Sequence, residues 1–390
     1  MNVNGSYARV FLFTMDNDLK VIGRIVLPVR EAVKTKAEVA AMDMIRARTN
    51  VPVPQVYLYC SSPQNPVRTE WILMEYIRGE TLGDCFGSLT FQQKMRTATE
   101  LAIIMSSLFN IKAARSGSLN PKYGRDDRDF CLRSLRYHLD TPNNLNTLNT
   151  SADSHLGVGP INDVTFLDYP RQVSPSRCGP FRSELEFLEA FAFRGHPPTR
   201  SDDKLERWAF EKVFEVYHAV RPLYRGFGSS CNADQGDTFH FSHGDLSSWN
   251  VLVDPESGGI TGVIDWEMAG FRPAWLAAVG CGWFNDDSDR FLMTDDQDGR
   301  LGYADDTPTD ARLRAHFRLQ LAERSMELFR HYWLGVELRA IFYSLCHEYP
   351  GNAEVWLEKY ENHEWDVARR GRFPFDLMAW IEEKLDLEER

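Results

Sequence analysis

Residues 239–267 read FHFSHGDLSSWNVLVDPESGGITGVIDWE. Two short apolar runs, 251–253 and 262–264, flank the turn-forming string Asp254-Pro-Glu-Ser-Gly-Gly. Apolar runs around such a string make an antiparallel hairpin. Asn250 then stands just before the first strand and Asp265 just after the second, so strand pairing sets the two side by side. Asp245 lies five residues ahead of Asn250 on the same loop. Taken singly, Asp245 reads as a cap or turn residue. Taken with Asn250 and Asp265 it reads as part of a site, because three oxygen-bearing side chains converge. A hard cation takes oxygen ligands, and Mg²⁺ is usually held by one or two protein groups plus phosphates. Asn250 and Asp265 fit that part. Asp245 fits the group that accepts or orients the proton of an attacking hydroxyl.

Working outward, residues 8–15 and 20–27 are strand-like runs split by the turn Asp16-Asn17-Asp18. Residues 34–48 carry Val39, Met42 and Ile45 at helical spacing, and Val51-Pro-Val-Pro ends that helix. Two more strands are expected at 55–60 and 70–75, and Gly79 breaks the pattern. A long helix is expected over 91–113, with Leu101, Ile104, Met105 and Leu108 on one side. Residues 114–180 look irregular, and TPNNLNTLNTSADSH (141–155) reads as an exposed, mobile loop. Helices are expected at 204–224 and 311–345, and a charged helix end at 379–390. A mainly β part followed by a mainly α part makes an α+β chain.

HGDLSSWN (243–250) followed by IDWE (264–267) resembles the catalytic loop and metal motif of the aminoglycoside phosphotransferase family. The protein-kinase counterparts are the HRDxxxxN loop and the DFG segment. Gly117-Ser-Leu119, Val158-Gly-Pro160 and Gly179-Pro-Phe181 resemble the fungal-type branch, and the likeness runs from about residue 5 to about residue 385. The resemblance implies a bilobal, protein-kinase-like fold, with a small β-rich N-lobe and a larger helical C-lobe carrying the catalytic hairpin. It places a nucleotide-binding lobe at 1–78 and a catalytic and acceptor-binding lobe at 79–390. It implies transfer of the γ-phosphoryl group of ATP (or GTP), with Mg²⁺, to a hydroxyl of a small molecule. Asp245 is then catalytic, and Asn250 and Asp265 hold the metal. Gly5 and Ser6 belong to the turn that covers the nucleotide. Arg24 stands in the place of the phosphate-binding lysine, with Glu38 as its ion-pair partner. Residues 72–79 form the hinge, where backbone groups around Glu75 to Ile77 meet the adenine and Met74 lines the pocket.

Three departures from the pattern bear on that expectation. Arg24 replaces a lysine, and its planar fork differs from a point charge. The nucleotide turn carries one glycine, and the strand ahead of it is expected to be essentially missing. Gly244 stands where protein kinases carry an arginine, and the segment after Asp265 lacks the APE motif. A phospho-regulated protein kinase is thereby disfavoured. A non-catalytic, kinase-like nucleotide-binding or interaction module is the alternative, motivated by Arg24 and the thin nucleotide turn. Intact Asp245, Asn250 and Asp265 argue against it. His243 is expected to hold the loop by hydrogen bonds, and Trp249 and Trp266 to pack. Glu267 reads equally well as a neighbour of the metal or as a solvated residue.

Composition fits this frame. With 43% hydrophobic and 26% charged residues, the chain is of ordinary globular make-up. Its net charge of −12 disfavours nucleic acid or anionic membrane as a partner and permits a cationic acceptor. Nine Asp against two Arg in 285–310 read as a solvated loop rather than a cation-binding surface. Seven scattered cysteines with no CxxC pair point away from zinc ribbons and disulfide frameworks. The start MNVNGSYARVFLF is not that of a signal peptide, and no apolar stretch is long enough to span a bilayer. The expected location is the cytoplasm.

Overall fold

Alternating side chains around a polar turn build the first hairpin. A computed structural model of the chain describes residues 2–4, 8–27, 33–121, 156–163, 166, 177–192, 211, 214–215, 217–218, 237–281, 284, 308–335, 338–339 and 342. Strands β1 (Asn2–Asn4), β2 (Ala8–Thr14) and β3 (Lys20–Val26) run antiparallel. The β2–β3 turn closes with the Met15 amide donating to the Leu19 carbonyl at 2.8 Å, and Asp18 takes a positive φ of 62°. A three-residue strand therefore does precede Gly5 and Ser6, although that strand was expected to be essentially missing. It pairs from Asn2 with Phe11 to Asn4 with Arg9.

Helix α1 (Val33–Arg48) follows, then β4 (Val56–Cys60) and β5 (Glu70–Glu75), completing a five-stranded sheet in the order β1-β2-β3-β5-β4. Val39, Met42 and Ile45 are buried, as their spacing requires. A two-residue β6 (Glu80–Thr81) leads into α2 (Leu82–Cys85) and the long α3 (Phe91–Phe109). Thr90 caps α3 in a reciprocal box with Gln93. The helix stops four residues short of the expected end. Lys112 and Ala113 instead form β7 and pair with His240 and Phe239. A two-stranded ribbon, β8 (Leu119–Pro121) with β9 (Leu156–Val158), and helix α4 (Glu184–Ala192) come next.

Strands β10 (Phe239–Ser242), β11 (Val251–Asp254), β12 (Gly259–Val263) and β13 (Gly270–Pro273) carry the deciding stretch, and α5 (Ala274–Ala277) follows. The β11–β12 hairpin forms as expected, with Val251 opposite Val263. The helix expected over 311–345 divides into α6 (Pro308–Arg324) and α7 (Met326–Leu334). Ser325 causes the break: its backbone is extended and its hydroxyl accepts from the Leu328 amide. Residues 141–155 and 379–390, nearly all of 285–310, and most of 204–224 lie outside the described residues.

Two apolar cores meet at the hairpin. One gathers Met42, Ile45 and Ile72 with Phe239, Phe241, Val263 and Trp266. The other gathers Leu101, Met105 and Phe109 of α3 with Phe317, Leu328, Val251 and Val253. Strand β11 thus faces one core and the end of β12 the other, which clamps the loop ends between the β-rich and helical parts. The α+β order is the one read from the sequence.

Candidate active site

The geometry starts at the end of β10. Gly244 turns with φ of 87°, and a Cβ placed there would lie 2.1 Å from the Met268 carbonyl oxygen. Only glycine fits so close an approach, so the missing arginine has a steric cause. His243 is buried, with Nε2 donating to the Ile264 carbonyl at 2.9 Å while Nδ1 accepts from the Asp245 amide at 3.3 Å. Burial pushes its pKa down to about 4, so the ring is neutral and braces the loop. Asn250 donates Nδ2 to the Asp245 backbone carbonyl at 2.8 Å and to Asp245 Oδ2 at 3.0 Å. The Ile264 amide donates to the Asn250 carbonyl at 2.9 Å, which carries the hairpin pairing to the doorstep of Asp265. Burial raises the Asp245 pKa, and the negative charge of Asp265 raises it further. The structure thus brings Asp245, Asn250 and Asp265 together.

Asp265 sits in the left-handed region, φ 66° and ψ 63°, and opens a single 3-10 turn over Trp266–Met268. A non-glycine residue there is strained, and such strain concentrates at sites whose surroundings fix it. Arg24, opposite Ile72 in the sheet, reaches this point from β3. Its NH1 lies 2.7 Å from Glu38 Oε1 and 2.7 Å from Asp265 Oδ1, and its NH2 meets Glu267 Oε2. Lys34 Nζ approaches the same Glu267 oxygen at 2.7 Å. Burial alone would lower the Arg24 pKa, but the charges of Glu38, Asp265 and Glu267 outweigh it and the guanidinium is held charged. Burial lifts Glu38 to about 7, against the pull of Arg24. Glu267 is buried and ion-paired, so the solvated reading of that residue is wrong.

Sequence reasoning passed over Lys34. Its signal was available: Lys34 and Glu38 are four residues apart in α1 and share a face. The two tryptophans part company. Trp266 packs in the core, whereas Trp249 is 59% exposed with its ring against Gly83. The residues expected to form the hinge continue from the same sheet. Met74 pairs with Ile22 and is buried. The Glu75 amide donates to the Gln55 carbonyl at 2.8 Å, and its carboxylate accepts from the Gln55 amide at 3.0 Å. Ile77 lies against Gly262 of the hairpin. Gly5 and Ser6 lie outside the described residues.

The sequence pattern of the phosphotransferase enzyme family matches residues 3–316. The chain belongs to this family. It is 34% identical over 311 residues to a subtelomeric hrmA-associated cluster protein of Aspergillus fumigatus, a match covering 70% of this chain and 58% of that protein. The chain therefore spans little more than half the length of the curated relatives it matches. A 195-residue stretch is 33% identical to altered inheritance of mitochondria protein 9, mitochondrial, of Clavispora lusitaniae, covering 47% of this chain and 30% of that one. Among solved structures, a putative aminoglycoside phosphotransferase from Ralstonia eutropha JMP134 aligns with a TM-score of 0.49 at 12% identity, covering 100% of this chain and 92% of that one.

Proposed function

We propose that this member of the phosphotransferase enzyme family is a small-molecule kinase that moves the γ-phosphoryl group of ATP, or GTP, to a hydroxyl. The observation that carries the reading is the convergence of Asp245, Asn250 and Asp265 at one end of the β11–β12 hairpin, faced by Arg24 and Glu38. Residues 1–78 would form the nucleotide lobe and 79–390 the catalytic and acceptor lobe.

The donor set suits Mg²⁺. Asn250 commits its amide nitrogen to Asp245, which leaves Oδ1 as an oxygen donor. Asp265 is one-third exposed and offers a carboxylate beside it. Among the described residues no group of three His, Cys, Asp or Glu side chains is placed to hold a metal alone. Asn250 and Asp265 would hold Mg²⁺ together with phosphate oxygens, since this ion is usually held by one or two protein groups plus phosphates. The bound ion would supply charge neutralisation on the transferring phosphoryl group. Asp245 orients the acceptor hydroxyl and takes its proton at a carboxylate oxygen, and its raised pKa makes it a better base. Arg24 holds phosphate oxygens. Gly5 and Ser6 would cover the phosphates, and Met74 with the backbone of Glu75 to Ile77 would hold the base.

The acceptor is a small hydroxyl compound, and the net charge of −12 permits a cationic one. No helix among the described residues is long and apolar enough to cross a membrane. A cytoplasmic location belongs to the proposal; the mitochondrial name of the yeast relatives points elsewhere.

One observation favours the second reading, a kinase-like module without turnover: Arg24 already serves three carboxylates, so phosphate must compete for it. Calorimetric titration with ATP, with and without Mg²⁺, separates the readings when combined with product analysis. The kinase reading expects Mg²⁺-dependent binding that Asp265→Asn loses. Asp245→Ala should keep that binding and lose phosphoryl transfer by a factor of about 10³ or more. Mg²⁺-dependent binding with no transfer to any hydroxyl acceptor would favour the module.

A further inference from the structure

Lys34 stands where burial and the helix dipole both oppose a cation. It is fully buried, and it lies in the first turn of α1, where the helix dipole disfavours a cation and no acidic residue is present. Burying an ion pair costs desolvation that the pairing alone seldom recovers. The oxygen it approaches at 2.7 Å, Glu267 Oε2, is the one that also receives Arg24 NH2. The other arm of the same guanidinium lies 2.7 Å from Asp265 Oδ1. On the kinase reading above, we infer that Lys34 and Glu267 are positioning residues of the donor site, forming a relay that aims Asp265.

The chain of contacts gives the mechanism. Lys34 anchors Glu267, and Glu267 anchors one arm of Arg24. A guanidinium is planar, so pinning NH2 fixes where NH1 points. NH1 then holds the carboxylate of Asp265, whose left-handed backbone needs such support. The relay also explains the arginine. A lysine at position 24 has one nitrogen and cannot meet Glu38, Asp265 and Glu267 from the two fixed points that NH1 and NH2 occupy. Arg24, Lys34 and Glu267 act as a set, in which the arginine is required rather than tolerated.

The test is calorimetric titration of the full chain with ATP, once with Mg²⁺ and once with EDTA, together with melting curves. Lys34→Met and Glu267→Gln should weaken Mg·ATP about 10- to 100-fold, the range seen when groups behind a metal ligand are removed. Binding of metal-free ATP should weaken by a clearly smaller factor, because Asp265 takes part only through the metal and the contacts to the base are untouched. Arg24→Lys should fall with them and not behave as a neutral swap. If Lys34→Met fails to fold, Glu267→Gln, of equal volume, carries the test. Folded variants that bind Mg·ATP as tightly as wild type overturn the relay. So does equal weakening with and without Mg²⁺, which marks a purely structural role. Wild-type chain that does not bind Mg·ATP at all overturns the kinase reading itself, and the two failures are thereby distinguished.

Discussion

His243 shows how much a single side chain in the loop before β11 is asked to do. Its two ring nitrogens tie the segment before Asp245 to the segment before Asp265, so the two acidic residues keep a common frame. Burial keeps it neutral, with a pKa near 4 against 6.5 for the free side chain. The sign follows from linkage. The unfolded chain takes up this proton first, so the stabilising contribution is present above pH 6.5 and is lost as pH falls toward 4. One proton contributes a slope of at most about 1.4 kcal/mol per pH unit. His243→Gln keeps a donor near the Nε2 position and removes the titration. Its melting temperature should drop less between pH 7 and pH 4.5 than that of wild type; an equal drop would show that other groups govern acid sensitivity. The residue scale is also where the motif was most legible. Asp245, Asn250 and Asp265 announce themselves by spacing, whereas Gly244 and Lys34 acquire meaning only from neighbours far along the chain.

At the scale of elements, the hairpins and α1 follow from alternation and periodicity, and the errors fall at helix ends. Residues 110–113 carry no helix breaker stronger than Asn110, yet β10 recruits Lys112 and Ala113 into a sheet. Tertiary hydrogen bonds there outweigh a weak local preference. The break at Ser325 is local in cause, but the strong helix formers on both sides, Ala322, Glu323, Arg324, Met326, Glu327 and Leu328, mask it in a window average. Ser325→Ala should remove the cap of α7 and cost about 1 kcal/mol, measured by urea unfolding. The packing of Phe329 and Tyr332 should hold the helix in place, so a spectrum showing α7 lost would contradict that.

For the whole molecule, the decisive arrangement is two cores joined across one hairpin. Val253 belongs to the core with α3 and α6, and Val263 to the core with α1 and β5. Fully burying such side chains contributes about 1.5–3 kcal/mol each. Since the hairpin is shared, loss of one core removes a wall of the other. Val253→Ala should therefore cost about 2 kcal/mol of stability, lower the melting temperature and leave a single calorimetric transition. A melting curve that separates into two steps would show that the β-rich and helical parts unfold independently.

The sequence by itself determined the α+β order, the hairpin, and the convergence of Asp245, Asn250 and Asp265, because these rest on short-range turn chemistry and period. The likeness carried by HGDLSSWN and IDWE was sufficient to identify a family that the match over residues 3–316 shows. Only the tertiary structure decided how Arg24 is used. Glu38 is 14 residues from it, Asp265 241 and Glu267 243, so no local rule brings all three onto one guanidinium. Ion pairs depend on distance in space, and that distance is set by packing β3 and α1 against the far end of the hairpin.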